Sequence, residues 1–519
     1  MSFTSLSFLL FLGATLFAYY LVPKRVQWWV LLAASYIFYL SAGAWCLPFI
    51  LFTTLSSYAF ARAIAKNARR ESEYIAKNLE SMDKSARKAY RAEKGRKRYH
   101  ILLVGIVLNF GILALLKLGG VRIIGISSNI QNPLLPLGIS FYTFQSMGYL
   151  IDVYRGKTEV ENNIFRLALF VSFFPQLPQG PISRHSDLAP QLYAPHKAEW
   201  ENIISGLIRI SWGSFKKLVI ADTVMRAVRN IASDTEKYSG AYVLLLIIAY
   251  SIEIYADFTG GIDIAIGIGE AMGIKLAENF DRPFASTSAK EYWNRWHITL
   301  GAWFTDYVFY PLSLSRPMQR ISRWSRAHIS LAAGKRVPIY LATAITWSLT
   351  GLWHGFGLNF IVWGLLNCLV ILASQECRPL YNKLNGRFPR LTKSGAWSIY
   401  LRAQTFMIIG TIRILDVYRS VPLAAKMVGS IFYGGANFFS GGAMGIGLEI
   451  GELGVIAAGV LLMLAVSEIS LRGERPLECR LAKKPFASLA CMAALIFATL
   501  IFGSYGIGFD ASDFIYTQF

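Results

Sequence analysis

Two histidines stand beside tryptophan in apolar surroundings: His297 in WNRWHITL (293–300) and His354 in LTGLWHGFGLNFIVWG (349–364). A titratable ring in such a place is costly unless it has partners or a task. Imidazole is also the side chain that titrates closest to neutrality, which suits it to proton transfer. At 354 it could act as a general base toward an attacking hydroxyl, a role worth roughly 10²–10⁴-fold in rate. Trp353 and Gly355 would give it a flat wall and close backbone access. The competing reading is a structural histidine that caps a helix or bonds a carbonyl. His297 follows Asn294, Arg295 and Trp296 on a short helix entered from Ser286–Lys290. It reads either as a second polar group that orients substrate or relays protons, or as interfacial packing, where Trp and Arg are at home.

Carboxylates supply the other candidates. Glu253, Asp257 and Asp263 lie in or beside apolar sequence, and Asp263, within GGIDIAIG, is expected to be the most buried. It is expected to hold a histidine or an arginine such as Arg295; an ion pair that only fixes helix packing is the alternative. The chain has no GxSxG elbow, P-loop or HExxH, and no carboxylate pair spaced for hydrolysis. Its cysteines (46, 368, 377, 479 and 491) are scattered and odd in number, which argues against zinc and disulfides. No metal site and no bound cofactor are expected.

The elements that must position these residues are membrane helices. Of 519 residues, 54% are apolar and only 16% charged, against about 25% charged in an ordinary soluble protein; mean hydropathy is +0.42. Apolar runs long enough to cross ~30 Å of hydrocarbon recur near 5–22, 27–42, 46–62, 101–118, 203–222, 241–256, 338–353, 358–374, 398–415, 454–470 and 487–504. Shorter or Gly/Pro-broken segments lie near 134–151, 164–178, 260–276 and 293–313. The expected fold is an all-α polytopic membrane protein with about eleven transmembrane helices. Re-entrant half-helices would surround a central tunnel, because broken backbone at membrane depth is tolerated only where protein or water covers it. The chain reads as one integral membrane domain, 1–519, with a basic cytoplasmic helical loop at 64–99 and a catalytic core at 134–364.

Charge orients it. Residues 62–98 carry thirteen Lys/Arg against five acidic residues, and further basic loops follow at 316–336, 378–393 and 472–484. These should face the cytoplasm. Three helices precede the first loop, so the N-terminus is expected outside, as is the acidic tail 504–519; two outside ends need an even number of crossings, so eleven is off by at least one. The first apolar run lacks preceding positive charge and reads as a retained helix rather than a signal peptide. The net charge of +21 is spread over separate loops, which argues for topology and lipid headgroups rather than nucleic acid. No two-half repeat of broken helices is present, which speaks against a transporter or flippase.

The stretches LPLGISFYTFQSMGYLIDVYRG (135–156), FFPQLPQGPISRHSDLAPQL (173–192), ADFTGGIDIAIGIGEAMGIKLAENFDRPF (256–284), EYWNRWHITLGAWFTDYVFYPL (291–312) and TGLWHGFGLNFIVWG (350–364) resemble the membrane-bound O-acyltransferase family. Within it, they are most similar to the bacterial alginate O-acetyltransferase-like branch, related to the D-alanyl transfer protein of teichoic acid synthesis. The resemblance covers nearly the whole chain. It implies that His354 is the catalytic residue reached by a tunnel, with His297 as the second hallmark histidine. It further implies an acyl, chiefly acetyl, thioester as cosubstrate (acetyl-CoA or an acyl-carrier protein) and a cell-surface polysaccharide as acceptor. An extracytoplasmic hydrolase-like acetyltransferase partner and the bacterial plasma membrane complete the expectation. On this reading Asn294 or Arg295 steadies the developing oxyanion, while Trp296, Trp353 and Asp263 line or orient the tunnel. D-alanyl transfer from a carrier protein is the alternative within the family. Phe258-Thr259-Gly260-Gly261 stands where many alginate-type members carry Ser-Gly-Tyr-Ser, which leaves the acceptor open.

Overall fold

The computed structural model describes residues 1–119, 135–433, 443–471, 476–505 and 514. Residue 134 of the expected core, residues 472–475 of the last basic loop and most of the tail lie outside them. Among the described residues the secondary structure is helical, and the only strand-like pairing is an isolated bridge between Phe280 and Trp296. Among the described residues, six helices are long and apolar enough to cross a membrane: Ala44–Lys77, Lys84–Leu118, Ala241–Ala271, Leu358–Glu376, Ile450–Ser470 and Pro485–Phe502. Leu6–Leu21, Ile164–Gln176 and Val421–Tyr433 are apolar but shorter. The chain is a multi-pass membrane protein.

Two compact units are present, one built from Met1–Gly206 with Ala265–Ala277 and the other from Leu207–Ile264 with Glu278–Phe519. In the first, the Leu47–Lys77 and Lys84–Gly119 helices run antiparallel. They are joined by an Arg98–Glu71 ion pair at 2.7 Å, stacked Tyr74 and Tyr90 rings, and a Ser56–Asn109 hydrogen bond at 3.1 Å. Residues 64–77 and 84–99 are thus the polar ends of two long helices. The Ile139–Arg155 helix has no solvent face from Ile139 to Val153. Gly138 introduces it in the left-handed region, with Leu177 O only 2.2 Å from where a Cβ would sit. A glycine is the residue that meets both demands.

In the second unit a π-helical turn, Lys216–Ala221, continues the Trp200–Phe215 helix. Its wider turn sends two consecutive lysines onto the same neighbouring helix: Lys216 Nζ lies 2.6 Å from Asp263, and Lys217 Nζ 2.6 Å from Asp257 and 2.9 Å from Asp222. The broken segment expected near 260–276 is unbroken helix as far as Ala271, where the 31-residue helix Ala241–Ala271 ends, and the break comes after it with Gly273 in the left-handed region. Within the helix glycine serves close approach instead. A Cβ on Gly213 would meet Gly260 O at 2.5 Å, and one on Gly260 would meet Gly213 O at 2.9 Å.

Candidate active site

His354 is the last residue of the Leu331–His354 helix, whose N-terminus is capped by the Ser330 hydroxyl accepting from Ala333 N–H. Twenty-four residues make it about 36 Å long. The chain reverses through Gly355–Gly357 into Leu358–Glu376. The reversal is tight because glycines meet backbone: Phe360 O lies 2.2 Å from a Cβ built on Gly351, and Trp347 O 2.3 Å from one on Gly364. A Cβ at Gly355 would strike the Phe360 ring at 2.3 Å. The tip is also tied to a third helix, Gly395–Tyr418, by Asn359 Nδ2 donating to Leu415 O at 3.2 Å. The His354 ring is half-buried among Trp353 and Trp363, each 4.7 Å away between centroids, with Phe360 near-parallel at 6.4 Å.

His297 joins the short Ala289–Arg295 helix to one that begins at Ile298 and continues through a π turn to Ser313, and it does so in the left-handed region with φ of 48°. A non-glycine residue held there costs of order 1–3 kcal/mol and persists when its surroundings over-determine it. Those surroundings are unusually complete. Asn279 O accepts from Ile298 N at 3.0 Å, and Asn279 Oδ1 accepts from Thr299 N at 3.0 Å and Thr299 Oγ1 at 2.9 Å. His297 Nδ1 lies 3.2 Å from that same oxygen. Asp281 N donates to Arg295 O across the Phe280–Trp296 bridge. The His297 side chain is buried, edge-on to Phe258 at 4.8 Å and 6.1 Å from Trp353.

Trp353 therefore contacts both imidazoles, and the structure brings the two tryptophan–histidine motifs together around it. Trp296 turns another way, stacked on Tyr292 at 5.7 Å, with the Arg413 guanidinium 4.0 Å from its ring. Arg413 also donates to Tyr292 OH, and its Nη1 is buried without a hydrogen-bond partner among the described residues. Asn294 is exposed, and Arg295 is paired with Glu291 at 2.8 Å. Asp263 does not take Arg295 or a histidine as partner. Arg209 reaches its Oδ1 at 3.1 Å and Lys216 its Oδ2 at 2.6 Å, because the π turn and the glycine crossing bring that helix alongside. Asp263, Lys216, Tyr255, Thr259 and Ile298 line a cavity of about 1190 Å³ whose far wall includes Gly454 and Ala458.

Sequence reasoning missed Asn279 and Arg413. Asn279 stands in ENFDRPF, and Arg413 is one of two arginines, with Arg402, in the Gly395–Tyr418 helix. Both act on residues far along the chain, so neither carries a local signal. Among the described residues, no cluster of His, Cys, Asp or Glu could hold a metal ion. The arrangement offers two imidazoles around one indole, walled by aromatic rings. It can move a proton in a dry environment.

The membrane-bound O-acyltransferase family matches residues 161–415, a stretch that contains both histidines. The chain is 30% identical over 444 residues to a probable alginate O-acetylase of Pseudomonas syringae pv. tomato, covering 83% of this chain and 75% of the relative. It is 32% identical over 292 residues to a peptidoglycan O-acetyltransferase of Helicobacter pylori, covering 51% of this chain and 52% of that protein. With a teichoic acid D-alanyltransferase of Bacillus subtilis it shares 29% identity over 269 residues, 51% of this chain and 64% of the relative. The chain belongs to the membrane-bound O-acyltransferase family, and it is an O-acyltransferase. A transporter without chemistry is set aside by that membership.

Proposed function

We propose that the protein moves an acetyl group from a cytoplasmic thioester to the outer face of the plasma membrane for O-acetylation of a cell-surface polysaccharide, with His354 as general base. The single observation that carries this reading is the packing of both imidazoles on Trp353. His354 takes the proton of the accepting hydroxyl, and the oxygen attacks the thioester carbonyl carbon. The tetrahedral oxyanion collapses, the C–S bond breaks, and the leaving thiolate receives the proton from the imidazolium. The products are an ester and a thiol, and the base is regenerated. One hydrogen-bond donor aimed at such an oxyanion contributes about 3–4 kcal/mol elsewhere. The relatives named for alginate and peptidoglycan acetylation support an acetyl group and a glycan acceptor.

The N-terminus lies outside in this scheme, and the basic loops meet the donor, acetyl-CoA or an acyl-carrier protein, on the cytoplasmic side. An extracytoplasmic hydrolase-like acetyltransferase completes the transfer. D-alanyl transfer from a carrier protein is the second reading, favoured by the similarity to the teichoic acid enzyme. Labelled acetate and labelled D-alanine fed to a strain expressing the protein separate the two: acetyl ester on envelope glycan is expected. D-alanyl ester in its place would overturn the first reading. Unaltered acylation in a well-expressed His354→Ala strain would remove the base.

A further inference from the structure

The hydrogen-bond network under His297 determines which of its nitrogens carries the proton. A histidine tautomer is decided by the partners its ring nitrogens have. Thr299 N–H can only donate, and it donates to Asn279 Oδ1 at 3.0 Å, as does the Thr299 hydroxyl at 2.9 Å. The atom at that position is therefore the amide oxygen; the flipped amide would set N–H against N–H. His297 Nδ1, 3.2 Å from the same oxygen, must then be the donor. A neutral imidazole has one N–H, so Nε2 is left with a lone pair. Asn279 is fully buried, which protects the arrangement from exchange with water.

We propose that Asn279 is a positioning residue that locks His297 as the Nδ1–H tautomer, so that Nε2 serves as a hydrogen-bond acceptor for the acyl donor. This rests on the reaction proposed above. Its accepting hydroxyl has a single hydrogen, and that hydrogen goes to His354. A neutral His297 presenting a lone pair cannot donate to the oxyanion either. What it can accept is an N–H. Coenzyme A and acyl-carrier proteins end in the same pantetheine arm, whose last amide N–H stands two carbons from the thioester sulfur. His297 thus reads the arm common to both donors, and the acyl group is held by its handle.

The test has two readouts on the full-length protein in nanodiscs. With ¹⁵N-histidine labelling, and a His297→Gln sample to assign the signal, the ring is expected to show a protonated Nδ1 and an unprotonated Nε2. Asn279→Asp keeps an oxygen acceptor and keeps that pattern, as does Thr299→Val; Asn279→Ala loses it. A protonated Nε2 in the wild type would overturn the proposal, even if Asn279→Ala fails to fold. Acyl transfer is then compared for S-acetyl-N-acetylcysteamine and an analogue with ester oxygen in place of the amide N–H. The wild type should favour the amide in kcat/KM by roughly tenfold, the scale of one hydrogen bond in a dry site. His297→Ala and Asn279→Ala should lose that preference, whereas Asn279→Asp retains it. Equal use of both donors by the wild type would sink the role assigned to Nε2. Transfer from neither donor would count against the proposed reaction itself, while the nitrogen spectrum still decides the tautomer.

Discussion

The two histidine segments reach their places by opposite routes. His354 closes a regular helix, and its return partner packs on it through Gly351 and Gly364 within a stretch of 46 residues, Leu331–Glu376. Local propensity and close glycine contacts shape that hairpin, and Asn359 ties its tip to the Gly395–Tyr418 helix. His297 sits in a strained left-handed turn between the seven-residue Ala289–Arg295 helix, too short to be stable alone, and a helix that runs from Ile298 through a π turn to Ser313. It is held by Asn279, 18 residues earlier, and its neighbours are held by Arg413, 121 residues after Tyr292. The difference shows that one half of the candidate site is made mostly by its own segment and the other by the fold. Distant substitutions should therefore disturb the 297 side more than the 354 side.

The largest expected effect is on chemistry. His354→Ala should lower ester-linked acyl groups on envelope glycan by about 10²-fold or more at equal protein level, the usual worth of a general base. His297→Ala should cause strong but incomplete loss in the same assay, because it orients rather than abstracts; normal activity would return it to packing. Gly351→Ala should strain the self-contained hairpin, since its Cβ would fall 2.2 Å from Phe360 O. Overpacking of this kind costs ~1–3 kcal/mol, readable as a fall in thermal stability in detergent. Arg413→Met removes the cation from Trp296, a desolvated contact worth about 2 kcal/mol. It should lower activity as well as stability; unchanged acylation would break the contrast between the two segments. The smallest effect is Gly454→Ala. Nothing lies within 4 Å of its Cβ, so relief of helical glycine should stabilise by at most ~1 kcal/mol.

Much of the scaffold was legible in the residues. The spans read near 338–353, 358–374, 398–415, 454–470 and 487–504 correspond to the Leu331–His354, Leu358–Glu376, Gly395–Tyr418, Ile450–Leu471 and Pro485–Phe502 helices. Val421–Tyr433 escaped notice because 13 residues is shorter than a span. The GGIDIAIG stretch was misread because glycine is a breaker in water yet a contact residue where two helices cross closely. The aspartate at 263 is only half-buried, so Glu253 and Asp257, not Asp263, are the most buried of the three carboxylates, and its partner lay on a helix whose register only the π turn sets.

By itself the sequence determined the membrane class, most of the long helices, the basic loops and the two tryptophan–histidine motifs. All of these follow from hydropathy, charge and spacing along a local stretch. The tertiary structure alone decided that both imidazoles meet one indole, that Asp263 answers to Arg209 and Lys216, and that Asn279 lies within hydrogen-bond reach of His297. Those choices depend on which distant backbones approach within hydrogen-bond reach, and no local periodicity records that distance.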